Sequence, residues 1–146
     1  MNGLLYDRSA VARFLREQNT RSESNGQIAV LSNERFCGSN VSFFYDAKEI
    51  ADRLYDIAPA AKILILVREQ MGMLSSCYKF YVKRGGTKTW NQYFEPTKDI
   101  RWPQFDLRNF EYHRFVEYYQ SLFGCDKVKV VLVEDMATDP KGFFQQ

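Results

Sequence analysis

The chain predicts an α/β domain, a mostly parallel sheet flanked by helices, and three observations carry that expectation. Ile63–Val67 is an uninterrupted apolar run, ILILV, and Val128–Val133, VKVVLV, is a second apolar stretch broken only by Lys129. Runs of this length and β-branched content read as strands buried in a parallel sheet. The stretches between and before them place apolar residues at helical spacing, and strands separated by helices imply parallel pairing through right-handed crossovers. Finally, 146 residues with 45% hydrophobic and 26% charged content suffice to bury one core and are unlike a disordered segment.

The elements follow in order. Val11, Phe14 and Leu15 form one stripe on a helix from about Arg8 to Gln18, and the polar linker NTRSESNG leads into a strand, Gln27–Leu31. Ile50, Ala51, Leu54 and Ile57 mark an amphipathic helix over Asp46–Ile57, ended before Pro59. The strand Ile63–Val67 feeds a helix from about Met71 to Val82, closed by Gly85-Gly86. Thr89–Phe94 reads as a short helix and Glu95–Asp106, with two prolines, as a loop. Arg108–Phe123 is expected to be the longest helix, capped by Gly124 and followed by the strand Val128–Val133. Asp139 and Pro140 make a good helix start, a capping side chain followed by proline at the first helical position. No internal repeat or low-complexity segment is visible.

Composition removes several function classes. A net charge of +2 is too small to argue for nucleic acid, which calls for a strong basic excess or stripe. Local basicity is another matter: Lys79, Lys83, Arg84 and Lys88 cluster, either to receive an anionic donor or acidic acceptor or as a solvated helix face. No apolar stretch approaches the roughly 20 residues of a membrane span, and the amino terminus lacks the basic and long apolar regions of a secretory signal. Cys37, Cys77 and Cys125 are far apart, with no CxxC pair or nearby histidine set, so neither a metal nor a disulfide framework is expected. Reduced, mostly buried thiols in a cytoplasmic protein are the default. The sequence sets no oligomeric state.

The chemistry concentrates at Arg68. It stands where the first apolar strand ends, and the carboxyl end of a strand in an open α/β sheet is where ligands bind. A guanidinium offers a planar fork that fits a phosphate, and serine hydroxyls about two helical turns on can add hydrogen bonds to the same anion. An arginine after a strand is also an ordinary solvated boundary residue.

Arg68, with Ser76 eight positions later and then Tyr78, resembles the 3′-phosphate-binding motif of the sulfotransferase family, which uses 3′-phosphoadenosine 5′-phosphosulfate (PAPS) as sulfuryl donor. LSNERFCG (Leu31–Gly38) is similar to the strand and loop before this motif, FVEYYQSLFG (Phe115–Gly124) to the helix after it, and VKVVLVEDMATDP (Val128–Pro140) to the later strand with its Glu-Asp turn. The likeness runs from about Gln27 to the end. It implies a P-loop NTPase-like sulfotransferase fold in part, a single sulfotransferase-like domain over residues 1–146 that is incomplete at both ends. The family's Gly-rich loop, whose lysine and Ser/Thr hold the 5′-phosphosulfate, has no counterpart here: neither Asn2-Gly3 nor Asn25-Gly26 is followed by the residues a phosphate cradle needs.

The resemblance therefore implies PAPS as co-substrate bound through Arg68 and Ser76, with a hydroxyl or amine acceptor, a small molecule or a carbohydrate. The isolated chain is expected to be a poor catalyst, because the charge-stabilising lysine belongs to the absent loop. Glu34, in the SNE segment where related enzymes place a catalytic His or carboxylate, is the candidate base, although it also reads as an ordinary turn residue. Ser75 competes with Ser76, and family spacing favours Ser76. Tyr78 either packs or reaches the nucleotide. Trp90, Tyr93 and Trp102 either pack or line an acceptor pocket. His113, the only histidine, reads as structural or solvent-facing. Glu134 and Asp135, at the end of the last strand, are expected to bond turn amides and orient basic neighbours. Two other readings remain beside the enzyme: a non-catalytic nucleotide- or polyanion-binding module of the same fold, and a relative of nucleotide kinases, which depend on the absent loop.

Overall fold

A computed structural model describes residues 6–38, 44–95 and 107–143. Its centre is a two-stranded parallel sheet, β1 (Ile63–Val67) beside β2 (Val128–Leu132), in register from Ile63 against Val128 to Val67 against Leu132. The expected α/β character is present, with helices dominating. Two helices, α2 (Ala47–Ile57) and α5 (Tyr112–Phe123), cover one face of the sheet. Between them Ala51, Ile65, Tyr119, Phe123 and Val128 form the core, with Leu54, Ile63, Val67, Phe115 and Val116 packed around it. Ala51 is fully buried, and its single methyl allows α2 to approach the sheet closely. Leu64 and Leu66, which alternate with the inward residues of β1, are 60% and 57% exposed on the opposite face.

The amino-terminal third differs from expectation twice. Helix α1 (Arg8–Ser24) does not stop at Gln18 but continues through the polar stretch read as a linker. Nothing in NTRSES breaks a helix, Asn19 donates to Glu23 one turn on at 2.7 Å, and the chain turns only at Asn25 and Gly26, the latter at φ 65°. Asp7 caps the start, accepting from the Ala10 amide at 3.0 Å. Arg8 ties α1 to α2 by a forked contact with Asp56, one arm of which measures 2.7 Å. The second difference is Gln27–Leu31, which is not a strand. Ile28 and Val30 are 90% and 83% exposed, and no strand among the described residues lies alongside to pair their backbone, which a strand requires.

After β1, α3 (Gln70–Lys83) and the short α4 (Trp90–Phe94) form a hairpin. A capping box between Thr89 and Gln92 starts α4. The turn wraps Tyr81, whose hydroxyl accepts from the amides of Thr87 and Lys88, each at 3.0 Å, while Gly86 lies on its ring; a Cβ at Gly86 would fall 2.3 Å from the ring carbons. Tyr78, Tyr81, Trp90, Tyr93 and Phe94 pack ring on ring, with centroids 4.6 to 6.2 Å apart. The expected loop beyond Glu95, with Trp102, lies outside the described residues.

The expected helix over Arg108–Phe123 is broken in two, a 3-10 turn (Leu107–Phe110) and α5, so α1 is longer. At the break the Gln70 side chain donates to the Phe110 carbonyl at 2.8 Å. Gly124 ends α5 at φ 94°, ψ 146°, a conformation essentially reserved for glycine. β2 ends one residue short of the expected Val133, and Glu134 and Asp135, expected in a turn at the strand end, lie in the first turn of a helix, α6 (Val133–Thr138). Asp139 then starts α7 (Pro140–Phe143), accepting from the Gly142 amide at 3.0 Å. No helix among the described residues is long and apolar enough to cross a membrane.

Candidate anion site at the end of β1

Arg68 follows β1 directly, half-exposed, in the two-residue link to α3. Its guanidinium lies on Gly72 in the first turn of α3: a Cβ at Gly72 would meet Arg68 Nε at 3.6 Å and Nη2 at 4.0 Å. These are ordinary contact distances, and the Glu69 carboxylate lies closer still, at 3.2 Å. Ser76 is four residues further on, in the same row along the helix and about 6 Å up its axis. It is exposed, whereas Ser75 is half-buried, so Ser76 is the more accessible hydroxyl.

Two carboxylates share this corner. Glu69 caps α3, accepting from the amides of Met71 at 2.7 Å and Gly72 at 2.6 Å, and these bonds hold its carboxyl below the usual carboxylate range. The helix N-terminus is therefore already occupied by the chain's own anion. Glu134, arriving from α6, accepts from the Glu69 amide at 3.1 Å and stands 3.9 Å from Arg68 Nε. It bonds a turn amide and orients a basic neighbour, as its position at the strand end leads one to expect.

Further along α3 a shallow, open hollow of about 520 Å³ is lined by Ser76, Tyr78, Lys79, Phe80, Val82 and Lys83, with Arg68 not among them. Arg84 stacks over the Phe80 ring at 4.4 Å. Tyr78 is held in the ring cluster and donates to the Lys88 carbonyl at 3.0 Å, which is the packing alternative. Trp90 and Tyr93 belong to the same cluster.

Glu34 is the first residue of a 3-10 turn, Glu34–Cys37, capped by Asn33, and it is exposed. The turn docks on α2 and on α5, where the Tyr119 hydroxyl donates to the Phe36 carbonyl at 2.9 Å. Among the described residues no hydrogen bond or ion pair joins Glu34 to Arg68 or Ser76. His113 is exposed on α5. Cys37 and Cys125 are exposed rather than buried, and Cys77 is intermediate; partial burial raises the Cys77 thiol above its ordinary range.

Sequence reasoning missed Glu69 and Gly72. A glycine in a first helical turn carries no signal by itself, and Glu is an uncommon cap; the only clue is their spacing after Arg68 in REQMG. Compared with models of known families, with curated proteins and with solved structures, the chain matches none.

Proposed function

We propose that this chain is a sulfotransferase-type domain that binds the 3′-phosphoadenosine part of PAPS through Arg68 and Ser76. The observation that carries the reading is the seat of the Arg68 guanidinium on Gly72, one turn before an exposed Ser76 in the same helical row. In this reading the Arg68 fork and the Ser76 hydroxyl bond the same anion. In the transfer itself the acceptor oxygen bonds to sulfur as the bond from sulfur to the 5′-phosphate oxygen breaks, the electron pair leaving with the phosphate, while the acceptor proton passes to a base, Glu34 in this reading. Arg68 and Ser76 act several ångströms from that bond, so they govern donor affinity. The lysine that would neutralise the leaving phosphate has no counterpart in this sequence, and the isolated chain is expected to bind donor with little turnover.

One observation favours the non-catalytic alternative, a nucleotide- or polyanion-binding module: among the described residues no hydrogen bond or ion pair connects Glu34 to the Arg68 corner. Calorimetry with 3′,5′-adenosine diphosphate tests the site. Arg68→Ala is expected to weaken binding by about 10- to 100-fold, the range for a lost hydrogen bond to a charged group, and Ser76→Ala less. Absence of binding by the parent chain, or equal binding by a folded Arg68→Ala variant, overturns the proposal. A PAPS turnover assay of Glu34→Gln, in a protein supplied with the phosphosulfate loop, separates enzyme from module.

A further inference from the structure

Gln27–Leu31 has the composition of a strand and no strand beside it in its own chain. Ile28, Val30 and Leu31 all stand in water, and among the described residues the backbone of Ile28–Leu31 makes no hydrogen bond. Backbone donors and acceptors lined with exposed apolar side chains are what an unpaired strand presents. Both flanks of the segment are fastened to the helical layer: α1 is joined to α2 through Arg8 and Asp56, and Glu34–Cys37 docks on α2 and, through Tyr119, on α5. The segment is thereby held away from β1 of the same chain. α1 gives it no shelter, since none of the 17 residues of that helix is buried.

The sheet presents the matching half. β1 bonds to β2 along one edge, and among the described residues no backbone hydrogen bond leaves its other edge. Folded proteins guard such an edge with a charge, a proline or a bulge. ILILV has none of these, whereas β2 carries Lys129. An unguarded edge takes up an extended segment through main-chain hydrogen bonds, with alternate side chains setting the fit. Ile28 and Val30 fall on one side of such a strand, as Leu64 and Leu66 do on β1, so apolar side chains meet across the pair. We infer that Gln27–Leu31 pairs with the free edge of β1 in a second copy of the chain. A second copy is the occupant because every chain carries one such segment and one such edge. Exchanged reciprocally, they close a twofold dimer in which neither half is left unpaired. The segment need not leave its place, because the edge of the partner comes to it.

Analytical ultracentrifugation of the full chain across a concentration series, with hydrogen exchange on the same samples, tests the pairing. A monomer–dimer equilibrium is expected, and exchange of amides in Ile28–Leu31 and in β1 is expected to slow as the dimer fills. Ala29→Pro and Val30→Pro are made separately, because neighbouring amides of a strand point to opposite edges and only one of the two removes a paired donor. That variant is expected to weaken the dimer about tenfold. Unfolding profiles of both at low concentration should overlay the parent's, since Ala29 and Val30 are exposed and lie outside any helix or strand. A chain that stays monomeric throughout the series would overturn the inference. Self-association that neither proline weakens, or that leaves the Ile28–Leu31 amides unprotected, would overturn it too and would put the contact on the bare side of β1, at Leu64 and Leu66.

Discussion

The 3-10 turn that carries Glu34 is held to the core by Tyr119, and replacing that residue by phenylalanine isolates the bond. The Tyr119 ring is 3% exposed, lies parallel to Phe123 with centroids 5.9 Å apart, and touches Phe115 at 4.7 Å. Phenylalanine keeps all of these contacts and removes only the hydroxyl that donates to the Phe36 carbonyl. A single neutral hydrogen bond contributes about 0.5–1.5 kcal/mol, and a carbonyl left without its partner puts the loss toward the upper end. For a chain of this size that corresponds to a fall in melting temperature of about 4 °C. The pH dependence adds a signature. Burial pushes the Tyr119 phenol above its ordinary range, so the folded state keeps the proton that the unfolded state releases above about pH 10. The stability so contributed is complete below that pH and is lost as pH rises beyond it; Tyr119→Phe should therefore flatten the alkaline limb. Urea titrations at pH 7.5 and pH 10.5 measure both effects. Equal midpoints for parent and variant at neutral pH would refute the bond and, with it, this account of how Glu34 is positioned.

Other expectations concern the core, a turn and the α3 cap. Ala51→Leu forces added volume between α2 and the sheet and should cost about 1–3 kcal/mol by urea unfolding. Gly124→Ala places a Cβ 2.7 Å from Asp126 in a backbone conformation that suits glycine, and a loss of about 1–3 kcal/mol is expected in the same assay. Glu69 has its carboxyl pKa lowered by two helix amides, so its contribution is present above the unfolded value and disappears as pH falls through the folded one. Glu69→Gln should accordingly flatten the acid limb of a stability–pH profile, and an unchanged limb would show that the cap does not form.

Much of the architecture was legible. β1, α2, α3 and α4 fall within one or two residues of their expected bounds, because apolar periodicity and local punctuation such as Pro59, Gly85-Gly86 and Thr89 act within a few residues. What escaped was tertiary. QIAVL has the content of a strand, but a strand exists only beside another, and no local pattern reports the absence of a neighbour. Gln70 reaches the Phe110 carbonyl at the break before Tyr112 across 40 positions, and Glu134 reaches the Glu69 amide across 65. At the site, Arg68 and Ser76 were readable from a strand end and a helical interval, and so were the lysines. The seat that Gly72 offers to Arg68 emerges only when the first turn of α3 is in place.

Leu64 and Leu66 close the account, since water meets both on the bare side of β1. Parallel strands ordinarily have a layer on either side, and greasy side chains left wet tend to seek one another in crowded solution. The isolated chain should thus bind hydrophobic dyes and self-associate as it is concentrated. Exchanging Leu66 for lysine should relieve that tendency at little expense in folding free energy, because this side chain is more than half exposed.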